Sequence, residues 1–152
     1  MFGGQDKRQD LLLAVTPPWI EWYPLCPEAQ SRLGVPREPM HLVGDPNSPK
    51  LITIYNHCDQ TKPVLDWSKA QMQTLAQKKL AGFILKSRSP SCGLGGIGVY
   101  GEQGQLCSES GVGVFAQMLR KTFPKLPILE ESELQKIHQI NIFFDRLKEV
   151  KN

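Results

Sequence analysis

Two cysteine-bearing stretches of this chain combine residue types that can hold a metal and move a proton. The first is Tyr23-Pro24-Leu25-Cys26-Pro27-Glu28, which runs on into Gly34-Val35-Pro36-Arg37. Ligands of open α/β sheets bind beyond the carboxyl ends of strands, so a thiol and a carboxylate two residues apart at such an end can line one pocket. The structural alternative is a buried Cys26 beside a solvated Glu28. The second stretch is Lys86-Ser87-Arg88-Ser89-Pro90-Ser91-Cys92-Gly93-Leu94-Gly95-Gly96. Hydroxyls and a thiol followed by closely spaced glycines give a backbone that can approach a ligand and turn several N–H groups inward. Lys86 and Arg88 are expected to lower the pKa of the Cys92 thiol and so favour the thiolate that metals require. A phosphate-binding loop is the rival reading but fits the order poorly, because it needs its Lys and Ser/Thr after the glycines and leading into a helix. Cys26 and Cys92 lie too far apart in the chain for a compact CxxC zinc ribbon or a ferredoxin-type run, so any metal must be gathered from separate loops.

The elements that must position these loops follow from periodicity. Apolar helical stripes alternate with short β-rich runs, the pattern of a sheet covered by helices. Strands are expected over 20–23, 41–43, 51–56 and 82–86, and a first helix over 7–14, ended by Pro17-Pro18. A longer helix is expected between the last two strands, opened by Asp59 or Thr61, with Pro63 in its first turn and Leu65, Met72, Leu75, Ala76 and Leu80 on one face. Strand, helix, strand in that order predicts a parallel crossover. Helices over 112–122 and 133–148 complete the set, the last carrying a stripe of Leu134, Ile137, Ile140, Phe144 and Leu147. The fold expected is α/β: one compact, three-layer, Rossmann-like domain over 1–152 with a mostly parallel sheet.

The bulk properties agree with a folded enzyme-sized domain. At 152 residues, 40% hydrophobic and 22% charged, the chain can bury a core without staples. No apolar run reaches the roughly 18 residues of a membrane span, and the N-terminus has no signal-peptide core. A cytoplasmic location without membrane partners is expected. A net charge of +3 spread along the chain gives no argument for nucleic-acid binding. Four cysteines, Cys26, Cys58, Cys92 and Cys107, in a reducing compartment point to metal or catalytic use ahead of disulfides.

The strings PLCPEAQSRLGVPREP, DQT, GFILKSRSPSCG, GVGVF, FPKLPILEESEL and NIFFDRL resemble, in order, the thiouracil desulfurase family. That resemblance implies a non-redox iron-sulfur enzyme, with a [4Fe-4S] cluster held by three cysteines and one iron open to the substrate sulfur. Carried onto matching positions, it implies Cys26 and Cys92 as cluster ligands and Glu28 as acid/base. Ser89 and Ser91 become orienting hydroxyls, with Lys86, Arg88 and Gly93 toward the substrate. Family members usually start with a Cys-Leu-Leu-Gly element that supplies the third ligand. Here Met1-Phe2-Gly3-Gly4 matches only the tail of the segment that follows it. Cys58, after the strand over 51–56, is then the possible third ligand, ahead of Cys107 in an expected surface turn. His57 is expected in a strand-end hydrogen-bond network, and Asp59 and Thr61 at the helix start. The substrate implied is a small thiopyrimidine and not tRNA, since longer relatives add a C-terminal domain for tRNA-sized substrates. The competing readings are a cluster-free binding module for thiolated bases or nucleotides, and a carrier of cluster or sulfide.

Overall fold

A computed structural model of the protein describes residue 14 and residues 16–150. The helix expected over 7–14 lies almost entirely outside the described residues. A single turn, α1 (Pro27–Gln30), comes first, followed by β1 (Met40–Val43), β2 (Lys50–Thr53), α2 (Thr61–Ala76) and β3 (Phe83–Leu85). Then come β4 (Ile97–Tyr100), β5 (Leu106–Gly111), α3 (Val114–Thr122), β6 (Ile128–Glu130), a 3-10 turn (Glu131–Gln135) and α4 (Ile137–Val150).

The α/β class holds, but the main sheet is mixed. Its order is β2-β1-β4-β5, with β1 antiparallel to β2, parallel to β4, and β4 antiparallel to β5. The expectation of a mostly parallel sheet is therefore corrected. The expected crossover through α2 is corrected too, because β2 and β3 belong to different sheets and β3 pairs in parallel with β6. Local chemistry accounts for both. A tight turn at Gly44 (φ +95°), where Asp45 accepts from the Asn47 N–H at 2.8 Å, sends the chain straight back and makes β1 and β2 a hairpin. At the other end, Gly82 brings its backbone so close to the Pro127 carbonyl that a Cβ would sit 2.9 Å from that oxygen. Phe83 N–H then donates to it at 2.9 Å.

Residues 20–23 form no strand. Ile20 closes a turn onto the Pro17 carbonyl at 3.0 Å, and Trp22 and Tyr23 are exposed. β-branched and aromatic residues favour a pleated, half-buried surface, and among the described residues no strand pairs with this stretch to supply one. The expected final helix is split, because Lys136 is extended (φ −106°, ψ 98°) between the 3-10 turn and α4. Ile137, placed on the apolar stripe by periodicity, is 75% exposed.

The core lies in three connected groups. Leu42, Leu51, Ile97 and Val99 from the main sheet pack with Val64 and Val114. Met72, Leu75, Leu85, Phe115, Ala116 and Leu119 form the second group, and Leu129, Leu134, Ile140, Phe143, Phe144 and Leu147 the third. Burying each large side chain contributes about 1.5–3 kcal/mol. α2 and α3 each give residues to the first and second groups, so they bind the two sheets together. Leu25, Cys92 and Leu94 all pack against the second group, which puts both cysteine stretches on one wall of the core. Among the described residues no helix is long and apolar enough to cross a membrane.

Candidate active site: the Cys26 turn and the Cys92 loop

Cys26 does not follow a strand. It is the N-cap of α1, with extended backbone, and its Sγ accepts the Ala29 N–H at 3.4 Å. Pro27 at the first helical position fits, since its missing N–H is not needed there. This turn points Glu28 across the molecule. Its Oε1 accepts the Ser91 hydroxyl at 2.9 Å, and its Oε2 accepts Arg37 Nε at 2.9 Å and Nη2 at 2.8 Å. Arg37 is 4% exposed and Glu28 15%, so this is an interior charge pair, with Arg37 Nη1 also donating to the Gly34 carbonyl at 3.3 Å. Arg37 is a site residue that spacing did not reveal. The hints were its place in the segment into which the Cys26 stretch runs and in the PLCPEAQSRLGVPREP string.

The Cys92 loop leaves β3 where expected, at the end of a strand. Ser89 staples it, with its hydroxyl oxygen accepting the N–H groups of Ser91 and Cys92 at 3.2 Å each, and its carbonyl accepting Gly93 N–H at 2.8 Å. Ser91 is fully buried. The loop carbonyls face the start of α3, whose first N–H groups have no partner within the helix. Gly113 N–H donates to the Gly93 carbonyl at 2.8 Å, Val114 N–H to Pro90 at 3.1 Å, and Phe115 and Ala116 N–H to Ser91 at 2.9 and 3.2 Å. α3 begins two residues later than periodicity predicts because Gly113 is extended. Both backbone polar groups of Gly93, expected to face substrate, are thus used inside this cradle.

Gly113 is where that cradle is tightest. A Cβ there would lie 2.5 Å from the Ser91 carbonyl carbon and oxygen and 2.6 Å from the Cys92 nitrogen. Those are backbone atoms that cannot rotate away. Gly113→Ala is expected to lower stability by about 1–3 kcal/mol, read from the urea midpoint. Gly95→Ala, where a Cβ meets nothing within 4 Å, is expected to leave it unchanged.

Lys86 and Arg88 do not activate Cys92 as their sequence neighbourhood suggests. Lys86 is ion-paired with Glu131, and Arg88 is exposed, with its backbone in the left-handed region (φ +53°). The Cys92 thiol is pushed up, first by burial and then by the charges of Glu28 and Cys26. Burial also opposes ionisation of Glu131. Hydrogen bonds from Lys86 and from the Ser87 N–H and hydroxyl outweigh it and hold that carboxyl below the usual glutamate range.

Cys58 is exposed. Its N–H donates to Thr53 Oγ1 at 2.8 Å, and its thiol faces the Asn56 carbonyl at 3.6 Å. It lines a cleft of about 240 Å³ with Arg37, Glu38, Thr53, Asn56 and Gln60. Cys107 lies exposed on β5 and not in a turn. Asp59 accepts the Thr61 N–H at 2.9 Å, and Thr61 Oγ1 accepts the Leu51 N–H at 2.8 Å, tying the helix start to β2. The cap of α2 itself is Gln60, without a side-chain bond. Among the described residues no three His, Cys, Asp or Glu side chains come together as a metal-ligand set. Cys26 and Cys92 have the donor chemistry of two of the three cluster positions that the resemblance implies, and among the described residues Cys58 is not gathered with them into a three-ligand set.

No curated protein and no solved structure matches this chain. A family model described as 2-thiouracil desulfurase matches residues 1–131, a span that includes every residue of the Cys26 turn and the Cys92 loop. The chain belongs to the 2-thiouracil desulfurase family.

Proposed function

We propose that the protein removes sulfur from a small thiopyrimidine, thiouracil or its nucleoside or nucleotide, by hydrolysis without redox change. The observation that carries this reading is the 2.9 Å hydrogen bond between Ser91 and Glu28. It joins the two thiol-bearing loops and sets a carboxylate between them. Cys26 and Cys92 are the thiolates that would hold an iron-sulfur cluster, with the remaining ligand coming from outside this pair. When bound, the cluster supplies an open iron, a Lewis acid for the thiocarbonyl sulfur.

The chain's own residues do the rest. Overall, C=S is exchanged for C=O: water gives its oxygen to the ring carbon, the C–S bond breaks, and the sulfur leaves as sulfide with the water's protons. Glu28 accepts a proton from that water at its carboxylate. Arg37 on Oε2 and the Ser91 hydroxyl on Oε1 hold the carboxylate in one orientation. The Ser89 oxygen accepts two backbone N–H groups, which fixes its position and leaves its own proton to donate toward substrate or water. Lys86 is tied to Glu131, so Arg88 is the cation available at the loop surface for a substrate phosphate or carbonyl.

Glu28→Gln keeps the shape but cannot take the proton, and its single amide oxygen can serve Ser91 or Arg37 but not both, so the variant is compared per folded molecule. It is expected to lower the rate of sulfide release by about 10²–10⁴-fold, with iron content after anaerobic reconstitution unchanged. Reconstituted protein that carries iron and releases no sulfide from 2- or 4-thiouracil, or their nucleosides and nucleotides, overturns the reading. Binding of thiouracil without iron and without turnover would instead favour a binding module.

A further inference from the structure

We propose that Glu130 and Glu131, side by side at the end of β6, are the positioning residues of the Cys92 loop, gripping it at both ends. Glu131 holds the start of the loop: its carboxylate accepts the Ser87 N–H and the Ser87 hydroxyl, the latter at 2.7 Å, and pairs with Lys86. Glu130 holds the far end, accepting the Leu94 N–H at 2.7 Å. Between the two grips lie Ser89, Ser91 and Cys92.

The arrangement follows from the sheet. β3 and β6 run parallel, with Leu85 opposite Glu130, so both strands end at the same level and the loop leaves β3 directly beside the two glutamates. The chain turns from β6 into the 3-10 turn between Glu130 and Glu131, so these neighbours in sequence reach two separate points of the loop. Ser87 is only 7% exposed, and an N–H buried there without an acceptor is costly. A carboxylate acceptor makes a bond roughly twice as strong as a neutral one. The clamp is itself held in place. Glu130 accepts the Glu133 N–H while the Glu133 side chain accepts the Glu130 N–H at 3.1 Å, and Ser132 N–H donates to the Ser87 hydroxyl at 3.2 Å. The Glu131 charge also opposes ionisation of the Cys92 thiol, whereas changes at Glu130 and Ser87 leave that charge in place and so read the grip alone.

The part of this proposal that concerns turnover rests on the desulfurase reading, whereas the part that concerns the position of Cys92 does not. The test is iodoacetamide labelling of the full-length, chelator-treated protein, with Cys92 read against exposed Cys107 in the same molecules by peptide mass spectrometry. Glu131→Gln and Glu130→Gln are each expected to raise the Cys92 rate about tenfold, by easier local opening of the loop. Ser87→Ala, which removes one hydroxyl and leaves the N–H, is a milder second variant should a glutamine variant fold poorly. It is expected to raise the rate about threefold. Glu109→Gln on β5 should leave the ratio unchanged. In the reconstituted enzyme the glutamine variants are expected to lose turnover while KM for thiouracil stays within about twofold. A Cys92 labelling ratio equal to wild type in both Glu130→Gln and Ser87→Ala overturns the proposal, whatever Glu131→Gln does. Raised labelling in a protein whose wild type desulfurates nothing leaves the clamp standing and removes the desulfurase reading.

Discussion

Cys92→Ala is expected to bring sulfide release from thiouracil down to background, a loss of about a thousandfold or more, in a protein that stays folded. The two halves of that result come from different parts of the structure. Cys92 packs with the group containing Met72, Leu85 and Phe115, so losing the sulfur removes some buried contact, worth about 1 kcal/mol. For a domain of this size that is a melting-temperature drop of about 2–4 °C. The loop backbone keeps its shape, because Ser89, Gly93 and the start of α3 hold it through main-chain and Ser89 bonds that the substitution does not touch. Iron bound after reconstitution should fall together with activity, and Cys26→Ala should behave the same way. Cys107→Ala, on exposed β5, should match wild type in both. Full sulfide release by Cys92→Ala would remove the thiol from the chemistry.

Arg37→Met is expected to cost about 3–5 kcal/mol, a large share of the roughly 5–15 kcal/mol that holds a domain together. The reason is what it leaves behind. Glu28 is 15% exposed, and without the guanidinium its carboxylate keeps only the Ser91 hydroxyl in place of three donors. Removing one member of a buried pair costs far more than the pair itself contributes, because the survivor is a desolvated charge. Combining Arg37→Met with Glu28→Gln should therefore recover most of the loss, and the coupling read from urea midpoints should exceed about 1 kcal/mol. A single Arg37→Met variant within about 0.5 kcal/mol of wild type would mean that Glu28 finds water or another partner, and that the pair does not organise the site.

What could be read from the chain itself was local. The two cysteine stretches carried their chemistry in adjacent residues, and the apolar spacing of α2 predicted a helix whose expected face buries Met72 and Leu75, although Val64, outside that face, is buried and Ala76, on it, is exposed. Strand direction could not be read that way. Whether β3 lies beside β2 or β6 depends on the closeness of Gly82 to Pro127, a contact between distant residues with no periodic signature. β5 escaped notice because its Leu106–Gly111 run is exposed at most positions and so lacks the apolar alternation that marks a half-buried strand. Glu130 and Glu131 entered only as letters of the FPKLPILEESEL string, although an acidic pair directly after the apolar LPIL run is a signal that could have been weighed. Arg37 lay in plain view nine residues after its partner. Only the turn at α1, absent from the expected elements, brings the two together.

The capping of α3 by the Cys92 loop carries one more consequence. Four amides at the start of that helix are spent on peptide carbonyls of residues 90, 91 and 93, so the positive pole of the helix dipole is already answered from within the chain. The loop cannot swing out without fraying the first turn of α3, and that turn carries Phe115 and Ala116, both buried in the second core group. Opening of the loop therefore loosens the first turn of α3 with it, which ties the rigidity of the site to the core behind it.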